Sequence, residues 1–325
     1  RLELNYSTVK NIDSLKDRLY TAKTDSILVS DLIKEDLEEK YTDFSERTRV
    51  LKTIDITKDV EDITKKVSIK NTSFNVLISG MDSYGTINKT TRNDVNMIAT
   101  INPNTNKVLL TSIPRDYYVQ LHGKTGYKDK LTHAGIYGIN TVVQTIEDLF
   151  GIDINYYVRV NFTTVESLVN TIGPIEIYSD KAMSLDGCKY VVGTNTVNGK
   201  CALRFARERH SYVEGDNHRI KNQQEVIKGI FNKLSKSAMV VTDYTSILDS
   251  LDGKFATNMD MKDITAFIKY ELEDITKYEI LDTQVTGTGS MELTYSYPHQ
   301  KLYVMFPSEQ SVESAKEYIN KISNE

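Results

Sequence analysis

The chain has 325 residues, of which 39% are apolar, enough for one large domain and a smaller one, since single cores usually stop growing below ~300 residues. Its 40 basic and 45 acidic residues leave a net charge of -5, so we expect no nucleic-acid partner. No apolar run approaches the ~20 residues that cross a bilayer, and we expect any membrane anchor to lie upstream or to have been removed.

Residues 1–70 are rich in charge, and apolar side chains recur there at helical intervals. The pattern predicts two amphipathic helices, followed by one strand over RVLKTIDITKDVEDI. We expect a small α+β accessory domain over 1–70, without catalytic residues, and a main domain over 71–325. The apolar positions behind the helix prediction are Leu15, Leu19, Ile27, Leu28, Leu32, Ile33 and Leu37.

Three short apolar runs open the main domain: FNVLISG, VNMIATIN and KVLLTSI. The turn signal NPNTN between the second and third predicts an antiparallel hairpin. If the first strand also runs antiparallel to the second, the charged residues at the strand ends gather at one edge of the sheet. These residues are Asp82, Arg92, Asp94 and Arg115.

Helices and strands then alternate. THAGIYGINTVVQTIEDLFGI predicts a helix that stops at Gly151, and NYYVRVNF predicts a strand. TTVESLVNTIGP predicts a helix with a Thr163/Glu166 capping box, before a strand at IEIY. This order implies a right-handed crossover and an α/β fold, in which helices flank a mixed central sheet.

Two further helices and a mixed C-terminal segment complete the domain. Asn198 and Asp216 are candidate N-cap residues, the first for a helix that ends in Arg207 and Arg209. The last part of the chain predicts a Gly-rich loop at TGTGS, a strand at KLYVMF and a closing helix. By itself TGTGS is more often a turn than a phosphate loop.

Asp82 and Asp94 are the acidic residues at the predicted sheet edge. Adjacent carboxylates repel unless one takes a proton or a cation lies between them, and Mg²⁺ typically binds through one or two carboxylates together with phosphates. Alternatively, both aspartates only cap turns. The sequence shows no Walker loop, no His-Glu-x-x-His motif and no Gly-x-Ser-x-Gly elbow.

Arginines form the second candidate group. Their planar, permanently charged guanidinium groups recognise phosphate better than lysines do. Alternatively, Arg207 and Arg209 complement a helix C-terminus and Arg219 pairs with Asp216. The candidates are Arg92, Arg115, Arg207, Arg209 and Arg219.

One predicted helix links this arginine group to an apolar surface. Positions 219, 223, 226 and 230 share a face and are Arg, Gln, Val and Ile, which favours a pocket mouth for a ligand with an apolar tail and an anionic head. The two cysteines, Cys188 and Cys201, form either a disulfide or two buried thiols.

Six ordered motifs in residues 74–235 resemble the LytR-CpsA-Psr family of bacterial cell-envelope proteins, and within it the streptococcal capsule-locus branch. The motifs are NVLISGMDS, TTRNDVNMIATINP, VLLTSIPRDYYV, KLTHAGIYG, NGKCALRFARERH and GDNHRIKNQQEVI. The resemblance implies a pocket for a polyisoprenyl chain, a membrane-anchored protein and a catalytic part outside the cell.

The resemblance also implies residue roles. Asp82 and Asp94 would bind Mg²⁺ and, with Arg115, form the catalytic group; which aspartate accepts a proton stays open. The pyrophosphate ligands would be Arg92, Arg115, Arg207, Arg209, Arg219 and Gln223. The implied reaction transfers a glycan phosphate from its polyprenyl carrier onto peptidoglycan. The alternatives are a lipid-glycan binding or regulatory module, and a lipid pyrophosphatase with water as acceptor.

Overall fold

The structure is a computed structural model, and two N-terminal helices and a short helical turn open its described part. They are α1 (Ile12–Tyr20), α2 (Asp31–Lys40) and α3 (Phe44–Arg47). The two-helix prediction is confirmed, but it was wrong to include Ile27 and Leu28, which lie between the helices, with Leu28 88% exposed. Residues 53–60 of the predicted strand lie outside the described residues. Those described are 7–9, 11–29, 31–52, 61–85, 87, 90–212, 216–236, 247, 250, 251, 253–273 and 278–325.

A six-stranded mixed sheet forms the centre of the main domain. Its first three strands are β1 (Phe74–Gly80), β2 (Val95–Asn102) and β3 (Lys107–Ile113), and all neighbours among them are antiparallel, which confirms the predicted hairpin. The turn between β2 and β3 uses Asn106 at a φ of 51°, a left-handed conformation that asparagine tolerates. Outside them lie β6 (Tyr156–Val160), β11 (Ala256–Thr257) and β12 (Glu279–Gln284), in the order β11-β6-β1-β2-β3-β12.

Helices cover both faces of this sheet, as predicted. Alternate strand residues such as Leu77 and Ile98 pack on one side against α4 (Ile139–Phe150) and the closing helix α9 (Glu309–Asn324). Residues such as Val76 pack on the other side, towards α7 (Asp216–Lys236) and α8 (Met261–Glu273). Buried on both faces, the strands read as nearly continuous apolar runs. Among the described helices, none is long and apolar enough to cross a membrane.

Two helix boundaries differ from the predictions, because a glycine interrupts one helix and a different residue caps the other. Leu131–Tyr137 forms a 3-10 helix, and α4 begins only after Gly138, whose φ of 102° interrupts the helix. Gly151 ends α4 in the left-handed conformation, as predicted. Helix α5 (Phe162–Ile172) is capped by Asn161 with Thr164, so the Thr163/Glu166 capping box was wrong.

The strand after α5 leaves the central sheet. Strand β7 (Ile175–Ser179) pairs with β10 (Gly193–Val197) in a separate two-stranded sheet, so the predicted crossover back into one sheet was wrong. TGTGS was also wrong as a loop, because it belongs to β13 (Gly287–Leu293), which pairs with β14 (Lys301–Pro307). A Cβ at Gly287 would lie 2.2 Å from Phe306 O, so close strand contact explains that glycine.

A disulfide joins the small β region to the helix that carries Arg207. Cys188, in β9 (Cys188–Tyr190), is bonded to Cys201 in α6 (Gly199–Arg207). Of the two alternatives for the cysteines, the structure therefore has the disulfide. Asn198 caps α6 by accepting a hydrogen bond from Cys201 N, as predicted. The remaining short strands are β4 (Tyr118–Val119), β5 (Asp129–Lys130) and β8 (Met183–Leu185).

Candidate functional site

Three strand ends bring the predicted acidic and basic residues to one edge of the sheet. Gly80, the last residue of β1, pairs with Val95, the first of β2, and β3 ends beside the start of β2. Asp94 directly precedes Val95, Asp82 lies two residues after Gly80, and Arg115 lies two residues after the end of β3. A Cβ at Gly80 would lie 2.7 Å from the Val95 Cβ, so glycine permits the two strands to approach closely here.

Asp94 lies at the centre of this arrangement. Its backbone N donates to Gly80 O over 2.8 Å, its Oδ2 accepts from Arg115 Nη1 over 2.6 Å, and its Oδ1 accepts from Thr132 Oγ1 over 2.9 Å. Burial alone would raise the pKa of Asp94, but Arg115, Arg219 and the Thr132 hydroxyl hold it below its ordinary value. Asp94 is therefore a fixed negative charge.

Asp82 has the opposite electrostatic character. Its Oδ1 lies 3.6 Å from Arg207 Nη2, and both side chains are nearly half exposed. Partial burial of the carboxyl group and the charge of Asp94 raise the pKa of Asp82, although Arg207, Arg219 and Arg115 oppose the rise. The two carboxylates therefore share a site in which one holds its charge and the other holds it with difficulty.

Four of the predicted arginines surround these carboxylates. Arg219 is 7% exposed and influences both aspartates, while Arg92 acts on Asp94. Arg207 stacks on the Phe162 ring, with 4.1 Å from its Cζ to the ring centroid, which fixes its guanidinium group. Four guanidinium groups against two carboxylates leave a surplus of positive charge, so this cluster suits a multiply charged anion.

The two other predicted pyrophosphate ligands, Arg209 and Gln223, have no described contact with the two aspartates. Arg209 is exposed, its Nε donates to His210 Nε2 over 3.4 Å, and it forms no ion pair with Asp82 or Asp94, all of which are described residues. Gln223 is half-buried on α7, whereas its neighbour Gln224 is buried and donates to Ser112 Oγ over 3.0 Å. The pyrophosphate roles of Arg209 and Gln223 stay predictions.

Comparisons with known proteins identify the family. The model of the LytR_cpsA_psr family matches residues 36–317. The chain belongs to this family. The chain is 32% identical over 255 residues to the polyisoprenyl-teichoic acid–peptidoglycan teichoic acid transferase TagU of Enterococcus faecalis, a match that covers 76% of this chain and 82% of that protein.

A second TagU gives the same result in sequence and in structure. The Bacillus subtilis TagU is 34% identical over 231 residues, which covers 70% of this chain and 72% of that protein. The crystal structure of B. subtilis TagU superimposes with a TM-score of 0.61, covering 78% of this chain and 98% of that chain at 28% identity. These relatives are transferases by name, and the chain is an enzyme of that class. Membership of the capsule-locus branch and the domain boundary at residue 70 stay predictions.

In this LytR_cpsA_psr protein, Thr132 is a site residue that the sequence analysis missed. Besides its hydroxyl bond to Asp94, its N donates to Arg115 O over 2.8 Å and its O accepts from Asn93 N over 3.0 Å. Thr132 thus joins the two chain segments that carry the site. Its signal was the motif KLTHAGIYG, which carries part of the family resemblance but from which no role for Thr132 was predicted.

A buried pair holds the 3-10 helix that carries Thr132. His133 Nδ1 lies 2.6 Å from Asp129 Oδ1, and Asp129 Oδ2 accepts from Ser296 N over 2.9 Å. A Cβ at Gly135 would lie 2.4 Å from Thr91 O, so only glycine lets this helix approach the loop before β2. The site therefore has a rigid base.

Magnesium binding by Asp82 and Asp94 stays a prediction, and the chemistry of the two side chains is compatible with it. Both offer carboxylate oxygens, which Mg²⁺ prefers, and a divalent cation would relieve the repulsion that raises the pKa of Asp82. Among the described residues there is no group of three or more His, Cys, Asp or Glu side chains that could hold a metal. Two carboxylates with substrate phosphate oxygens are a usual ligand set for Mg²⁺.

Proposed function

We propose that this protein transfers a glycan phosphate from a polyprenyl pyrophosphate carrier onto a hydroxyl group of peptidoglycan, at the outer face of the cell membrane. One observation carries the proposal: the sheet edge holds two carboxylates of opposite pKa shift among four arginines. The TagU relatives, named as polyisoprenyl-teichoic acid–peptidoglycan transferases, support the same chemistry.

The proposed reaction replaces one phosphorus–oxygen bond with another. The acceptor oxygen attacks the glycan-bearing phosphorus, the bond from that phosphorus to the bridging oxygen breaks, and lipid monophosphate leaves with the bridging oxygen. Arg92, Arg115, Arg207 and Arg219 bind the phosphate oxygens and stabilise the charge that builds on them. Mg²⁺ held by Asp82 and Asp94 would neutralise further phosphate charge.

The pKa shifts divide the aspartates by role. Asp94 keeps its charge and is fixed by Arg115 and Thr132, so it suits cation binding and positions Arg115. Without a bound cation, burial and the charge of Asp94 raise the pKa of Asp82, and its side chain is 45% exposed. Because a carboxylate bound to Mg²⁺ is a poorer base, Asp94 would make the main contact with the ion and Asp82 would accept the proton of the attacking hydroxyl group. The paired carboxylates favour catalysis over a binding module, since they oppose the capture of an anion.

A reconstituted reaction tests the proposal. The purified protein is mixed with a polyprenyl pyrophosphate-linked disaccharide, Mg²⁺ and a peptidoglycan oligosaccharide, and the products are followed by mass spectrometry. We expect one phosphodiester-linked glycan for each lipid monophosphate released. Lipid monophosphate without the linked product would instead indicate a pyrophosphatase, and a bound but unreacted donor would indicate a binding module.

The finer identity of the glycan is also a proposal. The relatives are named for teichoic acids, while the sequence motifs resemble the capsule branch, so we propose a capsular glycan as the donor of this chain. Parallel reactions with capsular and teichoic acid donors of equal lipid length test this. A higher kcat/KM for the teichoic acid donor would contradict it.

A further inference from the structure

A cleft of about 270 Å³, lined by polar and charged residues, lies beside the arginine cluster, on a neighbouring face of α7. Residues 218, 222, 225 and 228 line it at helical spacing, whereas Arg219 and Val226 belong to the adjacent face. Tyr178, on β7, and Asp282, on β12, also line it. The cleft is thus built from three elements, which fixes its shape.

Charges of both signs line the cleft, and most of them lie in pairs. Lys228 Nζ lies 3.0 Å from Glu225 Oε1 and also pairs with Asp282. His218 Nε2 lies 2.9 Å from Asp180 Oδ2. Three acidic side chains and two lysines line the cleft, so it lacks the positive surplus that binds phosphate, and their charged ends do not suit a hydrocarbon tail. It suits an uncharged ligand with many hydroxyl groups.

The floor and rim match such a ligand. Asn222 and Gln224 are 2% and 3% exposed, and Gln224 is held by bonds to Ser112 Oγ and Thr283 O, both 3.0 Å. These two bonds use both N–H groups of Gln224 and fix its amide, so its Oε1 remains as an acceptor in a set direction. At the rim, the Tyr178 ring is 55% exposed, leaving a face on which a sugar ring can stack. A neutral pyranose ring satisfies all three features.

The cleft is also adjacent to the reacting phosphate. Asn222 follows Arg219 by three residues, or ~4.5 Å along the helix axis, and its Nδ2 lies 3.5 Å from the O of Glu208, the residue after Arg207. Gln224 bonds to Ser112, near the end of the strand that leads to Arg115. A sugar linked to a phosphate at the arginine cluster therefore lies within reach of the cleft.

The geometry points to a saccharide-binding subsite in this cleft, which holds one neutral sugar ring of the donor or acceptor glycan next to the reacting phosphate. Its place in the reaction rests on the proposed function, but the binding of a saccharide does not. The ring could belong to the glycan donor or to the peptidoglycan acceptor, since both offer neutral sugar rings. The KM values for the two substrates tell them apart.

Binding is tested first without lipid or turnover. The probe is a β-1,4-linked N-acetylglucosamine tetramer, titrated into the whole protein and followed by NMR. We expect saturable binding that Tyr178→Ala weakens about tenfold, the scale of a lost ring contact. Tyr178→Phe should keep wild-type affinity because it retains the ring. Tyr303→Ala, which removes an equally exposed tyrosine on β14, is the matched control and should also keep it.

Two results would overturn the subsite: no saturable binding to the wild type, or equal weakening by Tyr178→Ala and Tyr303→Ala. Since the titration contains no pyrophosphate, such a result leaves the proposed transfer standing. In the transfer reaction, Tyr178→Ala should raise one KM about tenfold, that of the glycan donor or that of the peptidoglycan acceptor, and so identify the source. Unchanged KM values for both would remove the subsite from the reaction.

Discussion

Replacing Arg115 with alanine removes the guanidinium group that links the fixed carboxylate of Asp94 to the phosphate site. Arg115 Nη1 donates to Asp94 Oδ2 over 2.6 Å, and the side chain is 23% exposed, so it belongs to the open side of the cluster. Loss of one preorganised donor to a charge that develops in the transition state costs ~3–4 kcal/mol, or ~10²–10³-fold in rate. We expect a fall of this size in kcat/KM for glycan transfer.

Stability must be measured beside the rate, because the same change removes an ion partner. Asp94 has a lowered pKa, so it stabilises the fold above the ordinary carboxyl pKa of 3.8, and this contribution is lost as pH falls through its folded value. Arg115→Ala should therefore lower Tm at pH 7. The corresponding loss in the free energy of unfolding should be at most ~3 kcal/mol. The difference from wild type should disappear at low pH, when Asp94 is protonated.

Arg204→Ala is the matched control, since Arg204 lies one turn before Arg207 on α6 and pairs with Asp186 instead. It should keep the wild-type transfer rate. Arg115→Lys keeps the charge without the planar fork and should fall between the two. If folded Arg115→Ala transfers glycan within about threefold of wild type, a barrier change below ~1 kcal/mol, this guanidinium group does not stabilise the transition state.

Three other changes have defined outcomes. Asp82→Asn should lower the transfer rate but raise Tm at neutral pH, because the raised pKa of Asp82 means that the fold disfavours the charged carboxylate. The gain in Tm should vanish below pH 3.8, where the carboxyl group is protonated in the folded and the unfolded protein. A lower Tm for the variant at pH 7 would contradict this prediction. Thr132→Val should reduce kcat at least about tenfold by removing the hydroxyl bond to Asp94, whereas Thr132→Ser restores it; equal rates in both would show that the bond has no role. Replacing Cys188 and Cys201 with serine should lower the free energy of unfolding by ~3 kcal/mol, the loop-closure scale for their separation of 13 residues. Equal free energies of unfolding for the variant and the wild type in chemical denaturation would refute this prediction.

The sequence predicted the sheet edge because strand ends and turn residues are local signals. FNVLISG, VNMIATIN and KVLLTSI are buried on both faces, and NPNTN allows only a tight reversal, so the order and direction of β1, β2 and β3 followed. Given those directions, the convergence of Asp82, Asp94 and Arg115 is geometric necessity. Three apolar segments and one turn motif were therefore enough to predict where these site residues lie.

What the sequence could not predict depended on contacts between distant segments. Thr132 is a site residue only because the 3-10 helix packs against the loop before β2, which Gly135 permits. Gln224, not Gln223, reaches the sheet, because the path of α7 across β3 sets which face is buried. Strand β7 leaves the central sheet because it pairs with a later strand, and no local pattern marks that choice.

We propose that one divalent cation and one diphosphate share the site of Asp82, Asp94 and the arginines. Equilibrium binding of a polyprenyl pyrophosphate, measured by calorimetry with Mg²⁺ and with a chelator, tests it most directly. We predict that Mg²⁺ tightens lipid binding by between about 5-fold and 150-fold in the wild type, and that Asp94→Asn abolishes this coupling. Equal affinity with and without Mg²⁺, or coupling that survives in Asp94→Asn, would contradict the account.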